Sequence, residues 1–362
     1  MAARARPDSN PAGPRRRPPV VMLPTARVGS KLEREYPVAV VVGASRGLGL
    51  LIARELDRAG FRVVIAARDP EGLALAAEQL RADGARVATD VCDVTDNAQV
   101  EALVDRTETD IGPIEVMICV AGIIQVGPLE AQRRANFEAA VDTMLWGPVN
   151  TALAVVPRMR TRGHGRIGVI TSVGGRIAAP HLLPYTTAKF GAVGFTRGLR
   201  AELAGTGVSV TSVEPGLMRT GSHLQASFAG DHGREFAWFA TAASLPLLSI
   251  DAERAAGRIV RGILTGRPVV TVTPLAMVAP RVDAMFPGLA SAILGLTVRL
   301  LPDAPDTPQS TELMEGWQAE QRLRPRSRFV VNRLSALGRS AARRFNERPG
   351  EEVPRSRPNL TP

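Results

Sequence analysis

Residues 38–60 read VAVVVGASRGLGLLIARELDRAG, and the order of residue types in that stretch decides the fold. Residues 38–42 are an unbroken apolar run, the pattern of a strand buried on both faces of a parallel sheet. Gly43, Gly47 and Gly49 then punctuate a loop, and residues 50–59 have helical spacing that stops at Gly60. A buried strand, a glycine loop and a helix in succession put backbone N–H groups and the positive end of a helix dipole where an anion can sit. Glycine permits the sharp turn and removes the Cβ that would hold a phosphate off the backbone.

The same alternation continues downstream. Further strands are predicted over 62–67, 87–91, 116–120, 167–171, 208–213 and 269–272, with helices over 70–83, 97–109, 137–159 and 185–204. Regular alternation implies right-handed crossovers and an α/β chain, a Rossmann-like doubly wound parallel sheet flanked by helices. The expectation is a single main domain over 37–275, an apolar helical extension over 276–301, and a polar basic tail over 302–362. That tail is expected to be mostly disordered, although 329–345 has helical periodicity. Residues 1–36, rich in Pro and Arg, read as an extended lead-in without fixed structure.

The net charge of +10 is concentrated at the ends: +5 within residues 1–36 and +3 within 302–362. No aromatic residues interleave with the N-terminal arginines to stack on bases, so a solvated tail is favoured over nucleic-acid binding. The apolar stretch 285–301 is too short and interrupted to span a bilayer. A pocket cover, a subunit contact or a weak membrane-surface association remain open to it. The two cysteines, Cys92 and Cys119, are too few for a disulfide scaffold. With no uninterrupted apolar segment of the secretory kind at the start, the reading is cytoplasmic, with a peripheral membrane position as the alternative. The four histidines have no metal-ligand spacing, so no metal site is expected.

Ser172, Tyr185 and Lys189 carry the chemistry. Tyr and Lys four residues apart share one helix face, where an ammonium favours phenolate over phenol. A free tyrosine titrates near pKa ~10, too high for an efficient proton donor at neutral pH. The thirteen-residue gap from Ser172 to Tyr185 lets a strand end and a following helix converge on one cleft. Paired with a dinucleotide cradle, this acid suggests hydride transfer to or from a carbonyl carbon. Arg68 after the second strand and Arg46 in the glycine loop suit a ribose 2′-phosphate, which favours NADP(H) over NAD(H). Asp69, one position later, pulls the other way.

The spacing Gly43-x-x-x-Gly47-x-Gly49, with Ser45, Arg46 and Leu48 inside it, resembles the glycine loop of the short-chain dehydrogenase/reductase family. Asp93-Val94, Ala121-Gly122, Ser172, Tyr185-x-x-x-Lys189 and Pro215-Gly216 follow in that family's order, from about residue 38 to about residue 270. The resemblance implies an NADP-dependent oxidoreductase interconverting an alcohol and a ketone or aldehyde. Tyr185 would be the acid or base, Lys189 its tuner and a ribose ligand, and Ser172 the orienter of the substrate oxygen. It also implies that Gly43, Ser45, Arg46, Gly47, Leu48, Gly49, Arg68, Asp93, Val94, Ala121, Gly122, Tyr185, Lys189, Pro215, Gly216 and Thr220 bind cofactor. Thr220 could equally start a helix. Residues 221–248, with Phe228, Trp238 and Phe239, would form a lid and wall for a small hydrophobic substrate, unless those aromatics are ordinary core. A homo-oligomer is implied as well.

Two departures stand out. Met144 occupies the place where the family often has an asparagine, and a thioether cannot replace an amide in holding a proton-relay water. Cys119-Val120 stand where the family has paired asparagines. Met144 motivates the alternative of a non-catalytic nucleotide-binding sensor or scaffold; the retained Ser172, Tyr185 and Lys189 argue against it.

Overall fold

The computed structural model describes residues 36–246, 249–305 and 307–347. Nearly all of the expected lead-in, and the end of the tail from 348 onward, therefore lie outside the described residues. Seven parallel strands build the central sheet: β1 (Val38–Val42), β2 (Arg62–Ala67), β3 (Val87–Val91), β4 (Ile114–Cys119), β5 (Gly165–Ile170), β6 (Val208–Glu214) and β7 (Val269–Thr271). Their spatial order is β3-β2-β1-β4-β5-β6-β7. The direction of winding reverses between β1 and β4, which run parallel with Val40 opposite Met117. A crevice opens at such a switch point beyond the carboxyl ends of the strands.

All five residues of β1 are buried, and alternate side chains serve opposite layers. Ala39 and Val41 pack with α1 (Gly47–Arg58), α2 (Pro70–Ala82) and a later helix, Ala252–Leu264. Val38, Val40 and Val42 pack with α3 (Asn97–Arg106) and, through Val155, Met159 and Leu199, with two long helices on the other face. Each fully buried valine contributes roughly 1.5–3 kcal/mol relative to exposure, so one strand anchors both layers.

The long-helix region begins at α4 (Arg134–Val141) and continues through a π-helical turn, Asp142–Trp146, into α5 (Gly147–Arg162). The predicted 137–159 helix is thus longer and locally underwound, and Met144 sits inside the π turn. Next come α6 (Leu183–Glu202), α7 (His232–Ser244) and α8 (Ala252–Leu264). The apolar extension is a pair of helices, α9 (Pro274–Met285) and α10 (Pro287–Val298), bent by 120° at their junction.

The tail corrects an expectation. Within 302–347, where mostly disorder was expected, the chain forms α11 (Pro325–Leu334) and α12 (Ala336–Arg344). Sparse apolar residues suffice because they converge: Ala319, Leu323, Val331 and Ala342 share one buried cluster with Phe228, Phe236 and Phe239. Phe228 meets Phe236 and Phe239 edge to face at 5.7 and 5.9 Å. Of the aromatics expected to wall a substrate pocket, Phe228 and Phe239 are therefore core, and only Trp238 lies at the margin of that cluster.

Candidate active site

The glycine loop connects β1 to α1 at the switch point. Gly43 has φ +86, and a Cβ there would lie 2.5 Å from the Ala121 backbone nitrogen. At Gly49 a Cβ would lie 2.1 Å from the Gly43 carbonyl oxygen. Both glycines are required by close backbone approach, which brings Ala121-Gly122 from the end of β4 against the cradle. Ser45 and Leu48 are buried, whereas Arg46 and Arg68 are exposed. Asp69, the residue that complicated the cofactor reading, is occupied as the α2 cap: its Oδ1 accepts from the Glu71 and Gly72 amides, each at 3.2 Å. Asp93 accepts from the amide and the hydroxyl of Thr95, both at 2.9 Å. The Val94 carbonyl accepts from Asn150 Nδ2 at 3.0 Å, which ties this loop to α5.

Ser172 lies two residues beyond β5 in extended conformation, and its Oγ accepts from the Gly174 amide at 2.9 Å. The same hydroxyl faces the Tyr185 phenol and favours its anionic form. Lys189 Nζ lies 5.7 Å from the Tyr185 ring centroid and donates to the Ile170 carbonyl at 2.7 Å. The fold thus brings all three sequence-predicted residues together, where β5 ends and α6 begins. The electrostatics differ from expectation. Burial raises the Tyr185 phenol above its ordinary range, and the Ser172 hydroxyl opposes that rise. The ammonium is itself weakened: burial pushes Lys189 down to about 8. Desolvation disfavours both charges, so it outweighs the attraction expected between phenolate and ammonium.

Met144 is buried with Ala140, Ala188 and Tyr185, its sulfur 3.5 Å from where a Gly122 Cβ would stand. It packs beneath the phenol. Burial pushes the Cys119 thiol up to about 11, opposed by the nearby Lys189. The Pro215 carbonyl accepts from the Val173 amide at 2.9 Å, joining the β6 loop to the Ser172 loop. A Gly216 Cβ would lie 2.4 Å from Thr273 Oγ1. Thr220 Oγ1 accepts from the Ser222 amide at 3.2 Å, which leaves its hydroxyl proton available to donate.

Two further groups were given no role at the site in the sequence reading. His181, at φ +58 in the loop before α6, shares its Nδ1 with buried Glu235 at 2.8 Å; Glu235 also accepts from Trp238 Nε1 at 2.6 Å. The second group is the stretch 345–347 that follows α12. The Gly47 amide donates to the Phe345 carbonyl at 2.8 Å, and Asn346 Nδ2 donates to the Ser45 carbonyl at 2.8 Å. Glu347 accepts from the Gly221 amide. Burial pushes its carboxyl up to about 7, against the pull of Arg46. The only sequence signal for this was the helical periodicity running up to Phe345.

Comparison with known proteins agrees with this arrangement. A model of the short chain dehydrogenase family matches residues 37–228. Glycine betaine reductase ATRR of Emericella nidulans is 37% identical over 183 residues, which are 51% of this chain and 14% of that protein. Gluconate 5-dehydrogenase of Gluconobacter oxydans is 36% identical over 182 residues, covering 50% of this chain and 71% of that protein. Among solved structures, an actinorhodin polyketide ketoreductase with NADPH superposes with a TM-score of 0.60 at 29% identity, covering 68% of this chain and 99% of that one. A Burkholderia phymatum short chain dehydrogenase/reductase in complex with NAD shares the fold, with a TM-score of 0.64 at 23% identity over 72% of this chain and 96% of that one. The sheet order, the glycine cradle and a family match over more than half of the chain lead to one conclusion: the protein belongs to the short-chain dehydrogenase/reductase family of nicotinamide-dinucleotide-dependent oxidoreductases.

Proposed function

We propose that the protein interconverts an alcohol and a ketone or aldehyde on a hydrophobic substrate, with NADP(H) as cofactor and Tyr185 as general acid or base. The observation that supports this reading is the convergence of Ser172, Tyr185 and Lys189 where β5 ends and α6 begins, beside the glycine cradle. The nicotinamide dinucleotide, when bound, supplies or accepts the hydride at carbon. Tyr185 delivers or removes the proton at the substrate oxygen, and Ser172 donates to that oxygen as negative charge develops on it. Lys189 presents its ammonium behind the phenol and stabilises the phenolate as it forms. The backbone amides of the Gly47–Gly49 turn and the exposed Arg46 suit the phosphates.

The NADP preference is supported by exposed Arg68 and Arg46 and by Asp69 being engaged as a helix cap. Arg68→Ala should weaken NADPH binding by roughly 10- to 100-fold, the size of a charge-assisted hydrogen bond, and leave NADH binding unchanged. Equal losses for the two cofactors would remove the preference.

The remaining cofactor assignments, Asp93, Val94, Ala121, Gly122, Pro215, Gly216 and Thr220, are proposed on their position around the same crevice. A cytoplasmic setting is supported by two buried, unpaired cysteines. A homo-oligomer is supported by Trp146, Leu153 and Phe190, exposed on the long-helix region and α6. Weak association with a membrane surface is supported by α10, none of whose residues is buried.

The test is direct: purified protein, NADPH and a panel of hydrophobic ketones should give alcohol in amounts equal to the NADPH consumed. Binding of NADPH with no consumption across the panel would favour a nucleotide-binding sensor, the reading that Met144 supports.

A further inference from the structure

The last described residues of the chain lie on the cofactor cradle. Helix α12 ends at Arg344, which is pinned on both sides: its guanidinium pairs with Glu253 at 2.7 Å and its carbonyl accepts from Gln79 Nε2 at 3.0 Å. Phe345 is buried in the same core cluster as α1 and α2. Asn346 then turns the backbone with φ +58, a left-handed conformation that asparagine tolerates better than most residues. Its side-chain amide bridges two loops, donating to the Ser45 carbonyl at 2.8 Å and to the Gly72 carbonyl at 3.1 Å. That turn delivers the Glu347 carboxylate, 5% exposed, to the start of α1. One carboxylate oxygen lies 2.9 Å from where a Gly47 Cβ would stand, and the other accepts from the Gly221 amide.

These contacts use the groups a dinucleotide needs. The Gly47 amide cannot donate fully to the Phe345 carbonyl and to a phosphate oxygen at once. The space that glycine leaves open at the helix N-terminus is taken by an acidic side chain, the chemistry a helix N-terminus recognises in a phosphate. Asn346 and Arg344 sit over Ser45, Gly72 and Gln79, the side of the crevice nearest exposed Arg68, where the adenosine half would lie.

We propose that Phe345–Glu347 form an intramolecular plug that competes with the adenosine diphosphate half of the dinucleotide, so that cofactor binding requires the plug to leave the cradle. Built-in competition reduces apparent affinity by the fraction of molecules with an open cradle. The segment is held by the polar contacts of Arg344, Asn346 and Glu347 and by the buried Phe345 ring, so leaving the cradle also draws that ring out of its core cluster.

The proposal rests on the dinucleotide reading of the cradle, and the experiment separates the two. Full-length wild type, Asn346→Ala and Glu347→Ala are titrated calorimetrically with NADPH, NADH and ADP. Each variant should bind the preferred dinucleotide roughly tenfold more tightly, with ADP affinity rising in parallel. Amide hydrogen exchange on the wild type needs no variant: residues 344–347 should exchange faster once dinucleotide is added. Binding with unchanged or weaker affinity in both variants, or protection of 344–347 on binding, would overturn the plug alone. No binding of any of the three compounds by any form would overturn the plug together with the cradle assignment.

Discussion

Lys189 concentrates the energetic tension of the site in one side chain. It is a cation pushed down to about 8 by burial, held by one carbonyl and placed beneath a phenol that burial also disfavours as an anion. In the unfolded chain this lysine titrates near 10.5, so between pH 8 and 10.5 the unfolded state binds more protons than the folded one. Stability contributed by this group therefore rises with pH across that window. Lys189→Met should remove that rise, on the order of 3 kcal/mol, when urea unfolding of the two proteins is compared at pH 7.5 and 10. Parallel pH dependence in both would show that the ammonium is not desolvated. At Gly49, an alanine would drive a methyl into the Gly43 carbonyl. Gly49→Ala should lose roughly 1–3 kcal/mol of stability and lose dinucleotide affinity as well, read by thermal melting with and without NADPH. The sequence made the triad's residues legible, because spacing on a helix is geometric. It did not make the direction of the tyrosine's shift legible: desolvation depends on what covers Tyr185, and Ala140 and Met144 reach it only through the fold.

At the scale of elements, the sheet and its flanking helices follow the apolar periodicity closely, since β1 buries both faces and α8 buries Ala255, Ala256, Ile259 and Ile263 along one stripe. The reading failed where burial is shared between distant segments. Helices α11 and α12 are individually too polar and too short to be stable alone, and they form because Phe228, Phe236 and Phe239 from the region before and within α7 offer them a face. Long-range packing of that kind leaves almost no local pattern. Phe228→Ala should therefore destabilise by roughly 3–5 kcal/mol and release the C-terminal helices first. Limited proteolysis should then cut between residues 307 and 347 before it cuts the sheet. Cleavage beginning in the sheet domain instead would contradict the shared core.

The whole molecule combines a rigid α/β body with two attachments, the apolar pair α9–α10 and the folded tail. Leu289, Ile293 and Leu296 are each more than half exposed on α10, a helix with no charged residue. Ile293→Glu should abolish flotation with anionic lipid vesicles if that helix meets a membrane surface; persistent flotation would place the contact elsewhere. The two attachments leave the proposed chemistry with the body. Single-turnover oxidation of NADPH by an accepted ketone, monitored for wild type and Tyr185→Phe with NADPH affinity measured in parallel, tests that most directly. Loss of the phenolic proton should slow the step by roughly 10²- to 10⁴-fold at unchanged affinity; equal rates for the two proteins would contradict the assignment of Tyr185 as the acid.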